Sequence, residues 1–106
     1  MNELTKIEEM LLIGIWRLQG EAYGYRIRQY ISQMIEKDFT YGNLYSALSQ
    51  LVKKGYVDKR TGVGDDQKRG KQRKFYSLTD YGLQALRVSR ATYQTLWEGI
   101  SDNSLS

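Results

Sequence analysis

The sequence predicts a mainly α fold with one small β-hairpin (α+β): three helices, a basic glycine-containing hairpin and a long final helix. Three observations predict it. Leucine and isoleucine recur at helical spacing through the first half of the chain. Around residues 73–78 the pattern switches to alternation, which suits a half-buried strand. A last apolar repeat then runs from residue 80 to 100. The 106 residues fit one folded unit with a modest core.

The first helix opens on a capping box. Thr5 is placed to accept from the amide of Glu8, whose carboxylate can reach back. Ile7, Leu11, Leu12, Ile15 and Leu18 follow on one face, and Gly20 ends the run. The second helix is predicted over 23–34, with Tyr23, Ile27, Tyr30, Ile31 and Met34 as its apolar face. Arg26, Arg28 and Gln29 fall outside that face. The third helix begins after Thr40, a natural N-cap. It buries Leu44, Leu48, Leu51 and Val52, and Gly55 supplies its C-terminal stop.

Two strands are expected next, over 57–61 and 73–78. Tyr76 and Leu78 should share one face of the second, with Arg73, Phe75 and Ser77 on the other. The connector carries Gly62, Gly64 and Gly70 among charged residues, a hairpin tip. Thr79 caps the final helix, along which Leu86, Tyr93, Leu96, Trp97 and Ile100 run close to a heptad seam. The division expected is 1–79 as a binding domain, 80–100 as a dimerisation helix and 101–106 as a disordered tail.

Composition excludes several chemistries. With no cysteine and no histidine, disulfides, thiolate or imidazole metal sites and the commonest general base are all missing. No cofactor, metal or catalytic residue is expected, and the chain does not read as an enzyme. No run approaches the roughly 18 apolar residues of a membrane span, and Met1-Asn2-Glu3-Leu4-Thr5 does not open a signal peptide. A cytoplasmic protein without a membrane partner is expected.

The charge is concentrated. The chain carries +4 in all. Lys59, Arg60, Lys68, Arg69, Lys71, Arg73 and Lys74 face only Asp65 and Asp66, so one stretch holds +5 and the rest of the chain −1. From Phe39 to Val57 there is no acidic residue, and the exposed face of the third helix is small and polar. A focused cation beside an acid-free helix suits approach to a polyanion.

The order of elements is that of a winged helix-turn-helix, in which the third helix enters the DNA major groove and the hairpin lies along the backbone. The chain also resembles the PadR-type regulators. The matching residues are Glu9-Met10-Leu11-Leu12-Ile13, Tyr23-Gly24-Tyr25, Gly42-Asn43-Leu44-Tyr45 with Leu48 and Leu51, and Gly55-Tyr56-Val57. Arg69-Gly70, Arg73-Lys74-Phe75-Tyr76, Leu78-Thr79 and Gly82 complete them, over roughly residues 7 to 86. The family often has proline where Ser46 stands and an acidic residue where Val52 stands; both departures bear on the operator, not the fold. The single C-terminal helix resembles the short branch of the family, which dimerises through that helix.

The expectation is a sequence-specific regulator of transcription, a repressor, acting as a homodimer on double-stranded DNA with a near-palindromic operator. Tyr41, Asn43, Tyr45, Ser46 and Gln50 are the candidate readers. Asn and Gln can pair bidentately with adenine, and the helix has no arginine for guanine. Tyr45 is equally placed to fill space against the second helix. Lys68, Arg69, Lys71 and Arg73 are the candidate wing contacts to phosphate or minor groove, and Tyr23 and Tyr25 candidate backbone contacts. Leu86, Tyr93, Leu96, Trp97 and Ile100 are the candidate dimer seam, with the partner's first helix as its other wall. The resemblance implies a ligand pocket at Trp97 and Tyr93 for a planar aromatic or cationic small molecule that relieves repression. Trp16 reads as core or as interface on the first helix. A second function class stays open: a winged-helix module that binds protein without direct DNA readout. The charge argues against it, since a protein-binding face is more often apolar.

Overall fold

The structure, a computed structural model, describes residues 4–35, 39–63 and 72–106. Its elements are α1 (Lys6–Leu18), α2 (Gly24–Ile35), α3 (Tyr41–Lys53), the strands β1 (Val57–Val63) and β2 (Gln72–Leu78), and α4 (Asp80–Leu96). A 3-10 turn spans Asp102–Leu105. The fold is a four-helix α+β arrangement with a two-stranded antiparallel hairpin, as the sequence predicts.

Local chemistry sets the boundaries. The capping box forms: the Glu8 amide donates to Thr5 Oγ1 at 3.1 Å and the Thr5 amide to Glu8 Oε1 at 2.9 Å. Thr40 accepts from the Asn43 amide at 3.1 Å and starts α3. Gly55, at φ +82°, takes the left-handed turn that follows α3, a conformation costly for any residue with a Cβ. The core joins α1, α2 and α3 through Leu11, Leu12, Ile15, Ile27, Ile31, Leu44, Leu48 and Leu51, all buried. Tyr56, Val57, Tyr76 and Ala85 close it from the side of the hairpin and α4.

The hairpin pairs in register from Val57↔Leu78 to Val63↔Gln72. Beyond the core contacts of Val57 and Tyr76, its second strand is hydrogen-bonded to the chain entering α2. The Tyr76 amide donates to the Ala22 carbonyl at 2.8 Å, and Tyr23 forms an isolated antiparallel bridge with Phe75. The chain entering α2 thus serves as a third, one-residue strand.

Motif Leu78-Thr79-x-x-Gly82 seats α4. Thr79 Oγ1 accepts from the Gly82 amide at 3.0 Å and donates to the Gly55 carbonyl at 2.6 Å. The Thr79 amide donates to the Tyr56 carbonyl at 3.1 Å. A Cβ built on Gly82 would stand 2.2 Å from that same carbonyl oxygen. Further along, α4 lies on α1: Lys6 Nζ donates to Tyr93 Oη at 2.7 Å, and Ser89 Oγ donates to the Glu9 carboxylate.

Three sequence expectations need correction. Helix α4 ends at Leu96, not Ile100, with Trp97 at its C-cap and Gly99 at φ +79°. The tail is not featureless, because Asp102–Leu105 forms the 3-10 turn. Met34 is 54% exposed on α2 and belongs to no core. Phe75, on the face of β2 opposite Tyr76, is buried because Tyr23 covers its ring edge-on at 5.7 Å and the Arg60 guanidinium lies 4.8 Å from its centroid.

Among the described residues one charge is buried. Glu8 is nearly inaccessible and pairs with Lys54 Nζ at 2.6 Å, joining the start of α1 to the end of α3. Burial alone would raise its carboxyl pKa. The Lys54 ammonium and the Thr5 amide and hydroxyl outweigh that and hold it below the ordinary glutamate value. A depressed carboxyl stabilises the fold above its ordinary range, and that contribution is lost as pH falls through the folded-state pKa.

Two outcomes are expected. In an unhindered helix, Gly→Ala gains up to about 1 kcal/mol. Here Gly82→Ala should lose about 1–3 kcal/mol, because a backbone carbonyl blocks the new methyl; thermal unfolding that rises instead would contradict the seat described. Glu8→Gln keeps an acceptor for Thr5 but no charge. Its stability deficit in urea titrations should be widest near neutrality and close as pH drops below about 4. A deficit constant down to pH 3 would mean that the charge contributes nothing.

Candidate nucleic-acid interface

The hairpin anchor brings β2 beside the first turns of α2 and α3. Between the three runs an open groove of about 660 Å³, lined by Tyr23, Gly24, Tyr25, Tyr41, Tyr45, Arg73 and Lys74. Two cations and four tyrosines line it, and none of the lining residues is acidic.

Most of these side chains are held by neighbours. The Arg73 guanidinium sits 4.3 Å from the centroid of Tyr23, whose hydroxyl accepts from Arg26 Nε at 3.4 Å. Lys74 Nζ donates to Thr61 Oγ1 at 2.6 Å across the hairpin. Tyr41 and Tyr45, one turn apart on α3, stack with centroids 6.1 Å apart and planes at 18°. The Arg28 guanidinium lies 4.6 Å from the Tyr41 centroid, and its Nε donates to the Phe39 carbonyl at 2.7 Å. Gly24 leaves room for Tyr45: a Cβ there would stand 2.1 Å from Tyr45 Oη. Burial raises the Tyr76 hydroxyl pKa and the proximity of Tyr45 adds to it, so that hydroxyl stays neutral behind the groove.

Among the sequence candidates, Tyr23, Tyr25, Tyr41, Tyr45 and Arg73 come together in this groove. Asn43, Ser46 and Gln50 are exposed on α3 outside it. The packing reading of Tyr45 is what the geometry gives, its hydroxyl end fitting against Gly24 of α2, while 46% of the residue stays exposed. Lys68, Arg69 and Lys71 lie outside the described residues.

Sequence reasoning missed three members of the site. Lys74 lay within the cationic run and was open to selection. Gly24 stood in the Tyr-Gly-Tyr motif, but what it makes room for is a tertiary matter. Arg28 had the signal of a charge off the apolar face of its helix, with nothing local to say what it touches.

At the other end of the molecule, every residue from Ala91 onward is exposed. Leu96, Trp97 and Ile100 are 66%, 49% and 44% exposed. Leu86 is not: it is half-buried against the protein's own core, so it offers the expected seam little surface. Tyr93 is engaged by Lys6, whose ammonium lies 4.7 Å from the ring centroid, and that contact raises the lysine pKa. Trp16 is 54% exposed on α1, which removes it from the core.

Among the described residues there is no cluster of acidic side chains able to hold a metal ion, and no helix long and apolar enough to cross a membrane.

Three helices, a hairpin laid beside the third and a following long helix define a winged-helix regulator. Residues 12–88 match the profile of the Transcriptional regulator PadR-like family, and the chain belongs to that family. Its members regulate transcription and are not enzymes. The curated proteins contain no match. Among solved structures, a PadR-like transcriptional regulator from Bacillus cereus is similar at TM-score 0.76 and 23% identity, over 94% of this chain and 91% of that one. A PadR family transcriptional regulator from Eggerthella lenta gives 0.65 at 25% identity, over 86% and 76%. RosR of H. salinarum gives 0.70 at 24% identity, over 95% and 84%.

Proposed function

We propose that this protein binds duplex DNA directly and represses transcription as a homodimer on a near-palindromic operator. The observation that carries this reading is the groove itself: the exposed start of α3, Tyr23 and Tyr25 at the start of α2 and the cations of β2 share one surface with no acidic lining residue. A protein-binding module would not need that charge. In this reading α3 enters the major groove, with Asn43, Ser46 and Gln50 toward base edges. Arg73 and Lys74 meet the sugar-phosphate backbone, with Lys68, Arg69 and Lys71 continuing the contact along the wing.

One such domain covers few base pairs. Two would cover half-sites about 10 bp apart. The reading assigns the pairing to the end of α4 and the residues just after it, where Leu96, Trp97 and Ile100 are apolar and exposed and Leu96 also lines a shallow hollow with Ala91, Thr92 and Thr95. It also assigns release to a planar aromatic ligand. Lys6 already occupies the Tyr93 ring, so Trp97 carries the open aromatic face for such a ligand.

Fluorescence anisotropy on labelled duplex tests the first part. A dimer touching 6–10 phosphates should lose about 10³–10⁵ in affinity between 50 and 200 mM salt. Binding that ignores salt, or no binding, favours the protein-interaction module.

Sedimentation tests the second part. Leu96→Asp should convert a dimer into a folded monomer with much weaker operator binding; a monomeric wild type removes the homodimer. Acridine orange should quench tryptophan emission in the wild type and not in Trp97→Ala. Equal quenching in both places the ligand elsewhere.

A further inference from the structure

The α3 surface is not uniform. At about 100° per residue, Tyr41 and Tyr45 share one edge of its exposed face, and Asn43 and Gln50 lie roughly half a turn away. The polar edge is suited to adenine. The aromatic edge needs its own explanation, because two tyrosines left 40% and 46% exposed are costly in water.

We infer that Tyr41 and Tyr45 read the 5-methyl groups of thymine in the major groove, with Arg28 as the residue that positions them. The inference rests on the DNA-binding reading above and names what that surface selects.

Two features distinguish this from plain phosphate contact. A tyrosine that meets phosphate does so through its hydroxyl. The Tyr45 hydroxyl is turned toward Gly24, where a Cβ would stand 2.1 Å from it, while 46% of the residue stays exposed. Tyr41 stacks on the Tyr45 ring and also holds the Arg28 guanidinium against its own. Arg28 is itself fixed to the Phe39 carbonyl at 2.7 Å, just before α3 begins. The pair is therefore a pre-set apolar edge that loses little rotamer freedom on binding. The thymine methyl is the only apolar group that the major groove presents.

The test uses alternating dA·dT and dA·dU duplexes of equal length at fixed salt, read by anisotropy with the full chain. They differ only by the methyl. Wild type should prefer dA·dT by about threefold to fivefold for each methyl seated. Tyr41→Ala should bring the ratio toward one, and Tyr41→Phe should keep it. Arg28→Lys retains the charge but loses the planar stack and the Nε anchor; it should lower the ratio without changing the salt slope. That split separates positioning from electrostatics and does not depend on Tyr41→Ala folding.

A wild-type ratio of one overturns the inference alone and leaves DNA binding standing. So does a ratio that survives in a folded Tyr41→Ala, or in Arg28→Lys. No binding to either duplex overturns this inference together with the reading on which it rests.

Discussion

A hydrogen bond of 2.8 Å from the Tyr76 amide to the Ala22 carbonyl, with the Tyr23–Phe75 bridge beside it, fastens the hairpin to the chain entering α2. That anchor adds a third paired segment to a two-stranded ribbon, which by itself is marginal in water. With it, Arg73 stacks on Tyr23, Phe75 finds cover, and the cations of the strand face the first turns of α2 and α3. The groove exists because one residue of a helix approach is extended and paired. The surface assigned to DNA is thus a tertiary product of that pairing rather than a property of any one element.

A second set of contacts gathers on the Gly55–Tyr56 turn. Thr79 bonds to both of its carbonyls, and Gly82 approaches the Tyr56 oxygen closely enough to exclude a methyl. The rings of Tyr56 and Tyr81 stack over this junction at 5.0 Å. It sets the direction in which α4 leaves the domain. The exposed apolar end of α4 and the groove are therefore placed by separate fastenings, one at each edge of the hairpin.

Much of this was legible in the sequence, wherever the signal is local. Thr5 with Glu8, Thr40 and Thr79 announce helix starts through the spacing of an acceptor and an amide. Gly55 announces a stop, and the leucines of α3 announce the buried face. The failures share a cause. The apolar repeat beyond Leu96 resembles helix, yet Gly99 takes a left-handed φ and the helix is over. Apolar spacing reports a need for cover and not who supplies it: Met34 has none, while Phe75 is covered from a distant element. Arg28 and Gly24 act on partners on α3, so nothing within their own helix could identify their roles. The matched family residues span nearly the whole domain. They fix the fold and its class, and the departures at Ser46 and Val52 both fall on α3.

The first turn of α1 touches more of the molecule than its length suggests. Lys6 and Glu9 hold α4, while Glu8 between them holds the end of α3 through Lys54. Three successive charged or polar grips within four residues thus serve two different neighbours. Substitutions in this stretch will not act independently. A change at Glu9 or Lys6 that shifts α4 will also be felt, through the neighbouring Glu8–Lys54 pair, at the end of α3.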